Sequence, residues 1–218
     1  MSIDNKIDQT DLTFFTNEEG HTLLSRFKST LKDSQLFDVL VGYFRASGFH
    51  QLYDALEPVE KIRILVGLSV DRDSYDMMQY HHQNGTIDFE SHQRTKKRYQ
   101  QNLKEEIENS DENDNRLEIG IRKFIEFLKA DCQDPAMDKA YNGNGKKLEI
   151  RAYPSKNIHA KVYIGKFKPE DRDYGFVITG SSNFSESGFV ANREFNVELR
   201  SKRDVLFAEE QFNALWKE

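Results

Sequence analysis

The chain has 218 residues, which is long enough for one domain with a buried core, and its 37% hydrophobic residues include 16 Phe and 9 Tyr. The formal net charge of -6 argues against a surface coated with nucleic-acid-binding charge, and no apolar run reaches the roughly 18 residues of a membrane span. The single cysteine, Cys132, excludes an intrachain disulfide framework and a cysteine-based zinc site.

The N-terminal third of the chain predicts a parallel βαβ unit after a loose polar arm over residues 1–19, in which Phe14 and Phe15 are expected to be ordered. Apolar spacing predicts a helix over 20–34, and the nearly continuous apolar run 36–44 predicts a strand buried on both faces. A second helix is expected to begin at Ser47 as its N-cap, and a second buried strand follows over 61–68.

The middle of the chain is polar and predicts a helical insertion over about 73–145. Residues 73–108 are expected to be helical, and the run 109–115 is expected to be a loop. Residues 116–130 form an amphipathic pattern typical of a helix, and residues 138–147 predict another loop.

The C-terminal part changes to short strands and a closing helix. We expect one domain over 20–218, an α/β fold with a mixed, largely parallel β-sheet flanked by helices. The predicted strands are 148–153, 159–165, 174–180 and 194–200, and the predicted helix is 203–217.

The charge of the chain is unevenly distributed. Residues 1–145 carry 18 Lys and Arg against 26 Asp and Glu, whereas residues 146–203 carry 12 against 7. This basic stretch contains the most informative motif. Surface charge is uneven in most proteins, however, so the asymmetry alone does not indicate an anionic ligand.

His159 and Lys161 are two residues apart on a predicted strand, so their side chains point to the same face. An imidazole is a nucleophile or proton carrier near neutral pH, and an ammonium is a compact positive charge for phosphate oxygens. The pair therefore suits attack on a phosphate, although taken alone it also fits an exposed strand.

The next predicted strand ends in Gly180, followed by Ser181 and Asn183, which share a face. Hydroxyl and amide donors beside a glycine suit a phosphate cradle, and a loop of small residues is the alternative. Eleven positions later, Glu194 opens another strand, as an acid that could orient an imidazole or as an ordinary surface carboxylate.

The order and spacing of these residues resemble the signature of the phospholipase D superfamily: His-x-Lys, then Gly-Ser-x-Asn, then Glu, within residues 159–194. The upstream strands resemble the N-terminal half of the nuclease-type modules of that superfamily. More narrowly, the chain resembles the phospholipase D-like domain at the N-terminus of bacterial DEAD/DEAH-type helicases and in metal-independent restriction endonucleases.

The resemblance implies a phospholipase D/nuclease-like fold and a role for each motif residue. His159 would be the nucleophile and form a phosphohistidine, while Lys161, Ser181 and Asn183 would bind the phosphate and Glu194 would orient His159. No metal and no cofactor are implied.

This chain departs from the superfamily pattern at one position, and the pattern also implies an oligomeric state. Many relatives have an Asp five residues after the motif lysine, where this chain has Lys166, and nuclease-type members often lack that Asp. The superfamily site uses two His-x-Lys sets, and this chain has one, so we expect a homodimer with His159 near its symmetry mate.

Other candidates are weaker. Tyr43 and Arg45 follow a parallel strand and are candidates for lining a substrate cleft. The histidines His81, His82 and His92 lack the spacing of a metal-ligand set, and the basic residues around Arg94–Lys104 fit a solvated helix face.

Three functions remain open at this stage. The first is a phosphodiesterase acting on DNA or another nucleic acid, and the second is a catalytically silent DNA-binding or dimerisation module of a DNA helicase. Any helicase motor would lie outside these residues, because no phosphate-binding glycine motif is present. A lipid phosphodiesterase ranks last, because no membrane-binding face is evident. No secretory signal is evident at the start, so we expect a cytoplasmic location.

Overall fold

A mixed β-sheet forms the centre of the protein, in a computed structural model that describes residues 12–18, 20–70, 111–153 and 158–218. The strands are β1 (Phe14–Thr16), β2 (Ser34–Phe44), β3 (Lys61–Val70), β4 (Leu148–Ala152), β5 (Lys161–Phe167), β6 (Gly175–Gly180) and β7 (Phe195–Leu199). The helices are α1 (Leu23–Thr30), α2 (Ala46–Leu56), α3 (Asp111–Lys129), α4 (Pro135–Ala140) and α5 (Lys202–Lys217). No helix among the described residues is long and apolar enough to cross a membrane.

The strand order is β1-β7-β6-β5-β2-β3-β4, which confirms the predicted α/β fold with a mixed sheet flanked by helices. Parallel pairing is confined to β2, β3 and β4, and the remaining neighbours pair antiparallel. The expectation of a largely parallel sheet therefore describes only that half. Connections such as 168–174, between β5 and β6, are too short for the crossover that a parallel pair requires.

Each face of the sheet has its own apolar layer. Helices α1, α2 and α3 cover one face, where the layer is rich in phenylalanine, and α5 covers part of the other. The second layer is smaller and consists of Leu65, Tyr153, Ile164, Val177, Val205, Phe212 and Trp216. The continuous apolar runs of β2 and β3 are explained by this double burial.

Two segments differ from the sequence-based expectation. Part of the predicted polar arm forms β1, which pairs with β7 and buries Phe15 in the main core. The run 109–115 was expected to be a loop, but α3 begins at Asp111. Asp and Asn are poor helix formers in a helix interior, but acidic residues are favourable in a first turn, where they face the positive end of the helix dipole.

Three further boundaries also differ. The predicted loop 138–147 begins inside α4. Ser47 does not cap α2, because Arg45 occupies the N-cap position. The Ser47 hydroxyl instead accepts a hydrogen bond from Glu186 N at 3.4 Å. The predicted strand 159–165 begins at Lys161. The predicted helix 73–108, with Arg94 to Arg98 and the histidines His81, His82 and His92, lies outside the described residues.

A fully buried ion pair joins β2 to β3. Arg63 donates from Nε to Asp38 Oδ1 at 2.7 Å and from Nη2 to Oδ2 at 2.5 Å, and both side chains are 0% exposed. Burial raises the pKa of the Asp38 carboxyl, and the Arg63 guanidinium opposes that rise. The guanidinium also lies 4.8 Å from the Phe212 ring centre, so the pair couples the sheet to α5.

Replacement of Asp38 with Asn should destabilise the protein by about 3–5 kcal/mol, because it leaves the buried Arg63 guanidinium without a counter-charge. Urea unfolding measures the change. Asp131→Asn is the matched control, because the Asp131–Lys146 pair is largely exposed and its loss should have little effect. A double variant, Asp38→Asn with Arg63→Met, should recover part of the loss; equal stability of Asp38→Asn and wild type would contradict the prediction.

Candidate active site

Several strand ends meet at one edge of the sheet. Strand β5 is antiparallel to both β2 and β6, so its start lies beside their ends, and the start of β7 lies beside the end of β6 in the same way. All residues that the sequence predicts for a site are in segments that reach this edge: Tyr43, Arg45, His159, Lys161, Ser181, Asn183 and Glu194.

The imidazole and the amine of the His-x-Lys motif are in direct contact. Lys161 Nζ lies 2.9 Å from His159 Nε2. With Lys161 as an ammonium, which has only protons to donate, this contact makes Nε2 the acceptor. His159 is exposed and precedes β5, which leaves the ring accessible at the edge of the sheet.

Strand β2 fixes the position of this imidazole. Gly42 N donates to Ala160 O at 2.9 Å, and a Cβ at Gly42 would lie 3.1 Å from His159 Cδ2. The Tyr43 ring meets the His159 ring edge-on, with ring centres 6.0 Å apart and planes at 87°. A side chain at position 42 would therefore press on the ring and backbone of His159, which would have to shift by a few tenths of an ångström.

Ser181 and Glu194 form the second half of the cluster. Ser181 Oγ donates to Glu194 Oε2, and Phe195 N donates to Ser181 Oγ at 3.0 Å. The other carboxylate oxygen accepts from Asn192 Nδ2 at 3.4 Å. The partners of the carboxylate in this structure are thus Ser181 and Asn192, and orientation of His159 by Glu194 stays a prediction.

Lys161 connects the two halves electrostatically. Burial lowers the pKa of Lys161, and the negative charge of Glu194 opposes that change. The same carboxylate raises the pKa of the buried Tyr163, in addition to the larger effect of burial. The charge of Glu194 is therefore felt by both side chains of β5 that lie on this face.

Asn183 and Arg45 lie at the same edge without joining these contacts. Asn183 Oδ1 is buried and has no hydrogen-bond donor in the described part of the chain. Arg45 presents an exposed side chain at the start of α2, and its backbone N donates to Phe184 O at 2.9 Å. The phosphate-binding roles of both residues stay predictions.

Residues that sequence reasoning missed support the loop after β6. Tyr163 Oη donates to Ser182 O at 2.8 Å, and Asn196 Nδ2 donates to Ser182 Oγ at 3.0 Å, all three residues being buried. Polar and apolar residues alternate along β7, and the polar face with Asn196 and Glu198 is the buried one. No group of three potential metal ligands occurs within the described ranges.

Comparison with known proteins gives one family. A family model described as "Cardiolipin synthase, PLD-like domain" matches residues 28–216, which include every site residue named above. No curated protein matches the chain.

Solved structures that match the chain have low sequence identity to it. NucT from Helicobacter pylori is 12% identical over 94% of both chains, with a TM-score of 0.47. Nuc from Salmonella typhimurium, a phospholipase D family member, is 15% identical over 94% of this chain and 92% of its own, with a TM-score of 0.42. A polyphosphate kinase from Porphyromonas gingivalis is 13% identical, with a TM-score of 0.47, over 94% of this chain and 26% of its own.

Lys161 should lose its proton at a lower pH than the ordinary lysine value of 10.5, because burial disfavours its charged form. Glu194→Gln should lower the pKa of Lys161 further, because it removes the negative charge that stabilises the ammonium. An NMR titration of the lysine ε-carbons measures both values. An unchanged or raised Lys161 pKa in Glu194→Gln would show that the carboxylate does not act on the amine.

Proposed function

The chain belongs to the PLD-like domain family, and from this premise we propose that it is a metal-independent phosphodiesterase acting on nucleic acid through a phosphohistidine intermediate. The observation that carries the proposal is the contact between His159 Nε2 and Lys161 Nζ at an exposed sheet edge, beside Ser181 and Glu194. A nucleophile, a cation and a hydroxyl are the groups that covalent attack on a phosphodiester requires.

In the proposed reaction, the lone pair of His159 Nε2 attacks phosphorus, and the bond from phosphorus to the leaving oxygen breaks. Lys161 occupies that lone pair in this structure, so the ammonium must first turn to a non-bridging phosphate oxygen, which is a better acceptor for it. Water then attacks the phosphohistidine, the phosphorus–nitrogen bond breaks, and His159 is regenerated. Ser181 and Asn183 would bind the phosphate oxygens.

Glu194 is proposed to orient the imidazole. A carboxylate that accepts from Nδ1–H fixes the tautomer and stabilises the positive ring that forms during attack. The carboxylate is bonded to Ser181 and Asn192 here, so this role requires an exchange of hydrogen-bond partners. Release of Ser181 Oγ in that exchange would free its proton for a phosphate oxygen.

Nucleic acid is the proposed substrate because the motif residues lie within a basic stretch of the sequence. Residues 146–203 carry 12 Lys and Arg against 7 Asp and Glu, in a chain whose net charge is -6. At the edge that holds His159, the described cations are Arg45, Lys161 and Arg193, and cations attract a polyanion. DNA is the expected form, and the chain is proposed to act as the N-terminal module of a helicase or restriction-type protein.

We propose that the active unit is a homodimer. The leaving oxygen needs a proton, and after His159 has attacked, its own ring cannot supply one from Nε2. A second imidazole, the partner subunit's His159, would donate that proton and later take one from water. Two copies related by a two-fold axis bring the two rings together.

A catalytically silent binding module is the second candidate, and one observation favours it. The nucleophilic lone pair is occupied by Lys161, and the carboxylate does not contact the imidazole. A site in this state binds a phosphate without reacting. Salt-dependent binding of DNA with no turnover would support this alternative.

The direct test is cleavage of single- and double-stranded DNA in the presence of EDTA. Wild type should cleave, and His159→Ala should lose activity by at least about 10³-fold, because the proposed covalent step requires the lone pair of His159 Nε2. His159 is exposed, so the variant should unfold at the same urea concentration as wild type. Cleavage that EDTA abolishes, or that survives His159→Ala, would contradict the proposal.

Subunit mixing tests the shared site. When equal amounts of wild type and His159→Ala are unfolded and refolded together, random pairing leaves about one quarter of the dimers with two intact histidines. Activity should fall to about one quarter of that of the same total amount of wild type. A value of about one half would show that each chain works alone.

A further inference from the structure

Two exposed phenylalanines lie side by side at the β1–β7 edge. Phe14 is 56% exposed and Phe195 is 53% exposed, and their ring centres are 6.0 Å apart. The register of β1 on β7, with Thr16 opposite Phe195, holds the two strands and therefore the two rings together. We refer to these two rings as the Phe14–Phe195 platform.

The platform adjoins the candidate active site. Phe195 directly follows Glu194, and its backbone is bonded twice to Ser181: Phe195 N donates to Ser181 Oγ, and Ser181 N donates to Phe195 O, each at 3.0 Å. These bonds fix the platform relative to the hydroxyl and the carboxylate. Any phosphate that Ser181 binds would lie within the reach of one nucleotide from the Phe195 ring.

A third exposed aromatic ring lies on the other side of the cluster. Tyr43 is 43% exposed and packs edge-on against His159. In the strand order, β6 and β5 separate β7 from β2, which is roughly 14 Å at the usual strand spacing. Exposed aromatic rings therefore lie on the two strands, β7 and β2, between which β6 and β5 lie.

We infer that the Phe14–Phe195 platform stacks an unpaired base next to the phosphate held at His159, Lys161 and Ser181, so that the site selects single-stranded nucleic acid. The inference rests on the proposed function and adds a specificity determinant to it. Aromatic rings beside a cationic groove are the usual means of binding single strands, because every base offers a flat face. A base in a duplex is already stacked and paired, and cannot lie on the platform.

The size of the platform favours a base over a second protein chain. Two phenylalanines that are each about half exposed offer roughly 150–250 Å² of contact area, whereas a stable dimer buries about 800 Å² on each partner. One base covers an area of this size. The polar groups close to it in the chain, Ser181 and the Arg193 that pairs with Glu18, also suit a nucleotide better than an apolar partner surface.

The test compares Phe195→Ala with Phe195→Trp on three probes: a single-stranded oligonucleotide, an abasic oligonucleotide of equal length, and a duplex. Phe195→Ala should weaken binding and raise KM about ten-fold for the base-bearing single strand alone. Phe195→Trp should restore it, because a larger ring stacks at least as well. Phe207→Ala is the matched control, since Phe207 is also an exposed phenylalanine, at 63%, but lies on α5.

The outcomes separate this inference from the proposed function. An equal loss on the base-bearing and abasic strands, or no loss on either, would overturn stacking while cleavage by wild type stands. If wild type is dimeric and the Phe195→Ala variant is monomeric, the platform belongs to the contact between copies, and the stacking inference is overturned. If wild type cleaves nothing, the proposed function fails, and anisotropy binding of the same three probes still decides the inference.

Discussion

The placement of β5 between two antiparallel neighbours, β2 and β6, is the constraint on which the candidate site depends. A strand in this position begins where both neighbours end, so His159 and Lys161 come next to Tyr43 on one side and to the loop of Ser181 on the other. Had β5 been parallel to β2, its start would lie at the opposite edge. The direction in which β5 pairs with β2 and β6, rather than any single side-chain contact, therefore brings the residues of the site together.

The charged residues of the protein separate into two groups with different environments. The Asp38–Arg63 pair and the buried Lys61, which lies 2.5 Å from Asp138, are enclosed and hydrogen-bonded in the body of the fold. The edge cluster is exposed at His159, and its amine is only partly shielded, so it can exchange partners when an anion arrives. Enclosed pairs of this kind hold the sheet and α5 in place, and the open cluster remains free for chemistry.

The sequence predicts those parts of the fold that local pattern determines. The buried runs of β2 and β3 and the His-x-Lys and Gly-Ser-x-Asn motifs are continuous or closely spaced, and the structure brings their segments to one edge. Which face of β7 is buried could not be predicted, because the buried Glu198 pairs with Arg26 of α1, which lies 172 residues earlier in the chain. The exposure of Phe195 depends in the same way on β1, which the sequence pattern assigned to a loose arm.

The central claim is that the protein itself attacks phosphorus before water does. The stereochemical course of cleavage tests it most directly, with a phosphorothioate diester of single configuration in ¹⁸O-labelled water. Two successive in-line displacements, through a histidine-bound intermediate, predict retention of configuration at phosphorus. Inversion would mean a single displacement by water and would contradict the account.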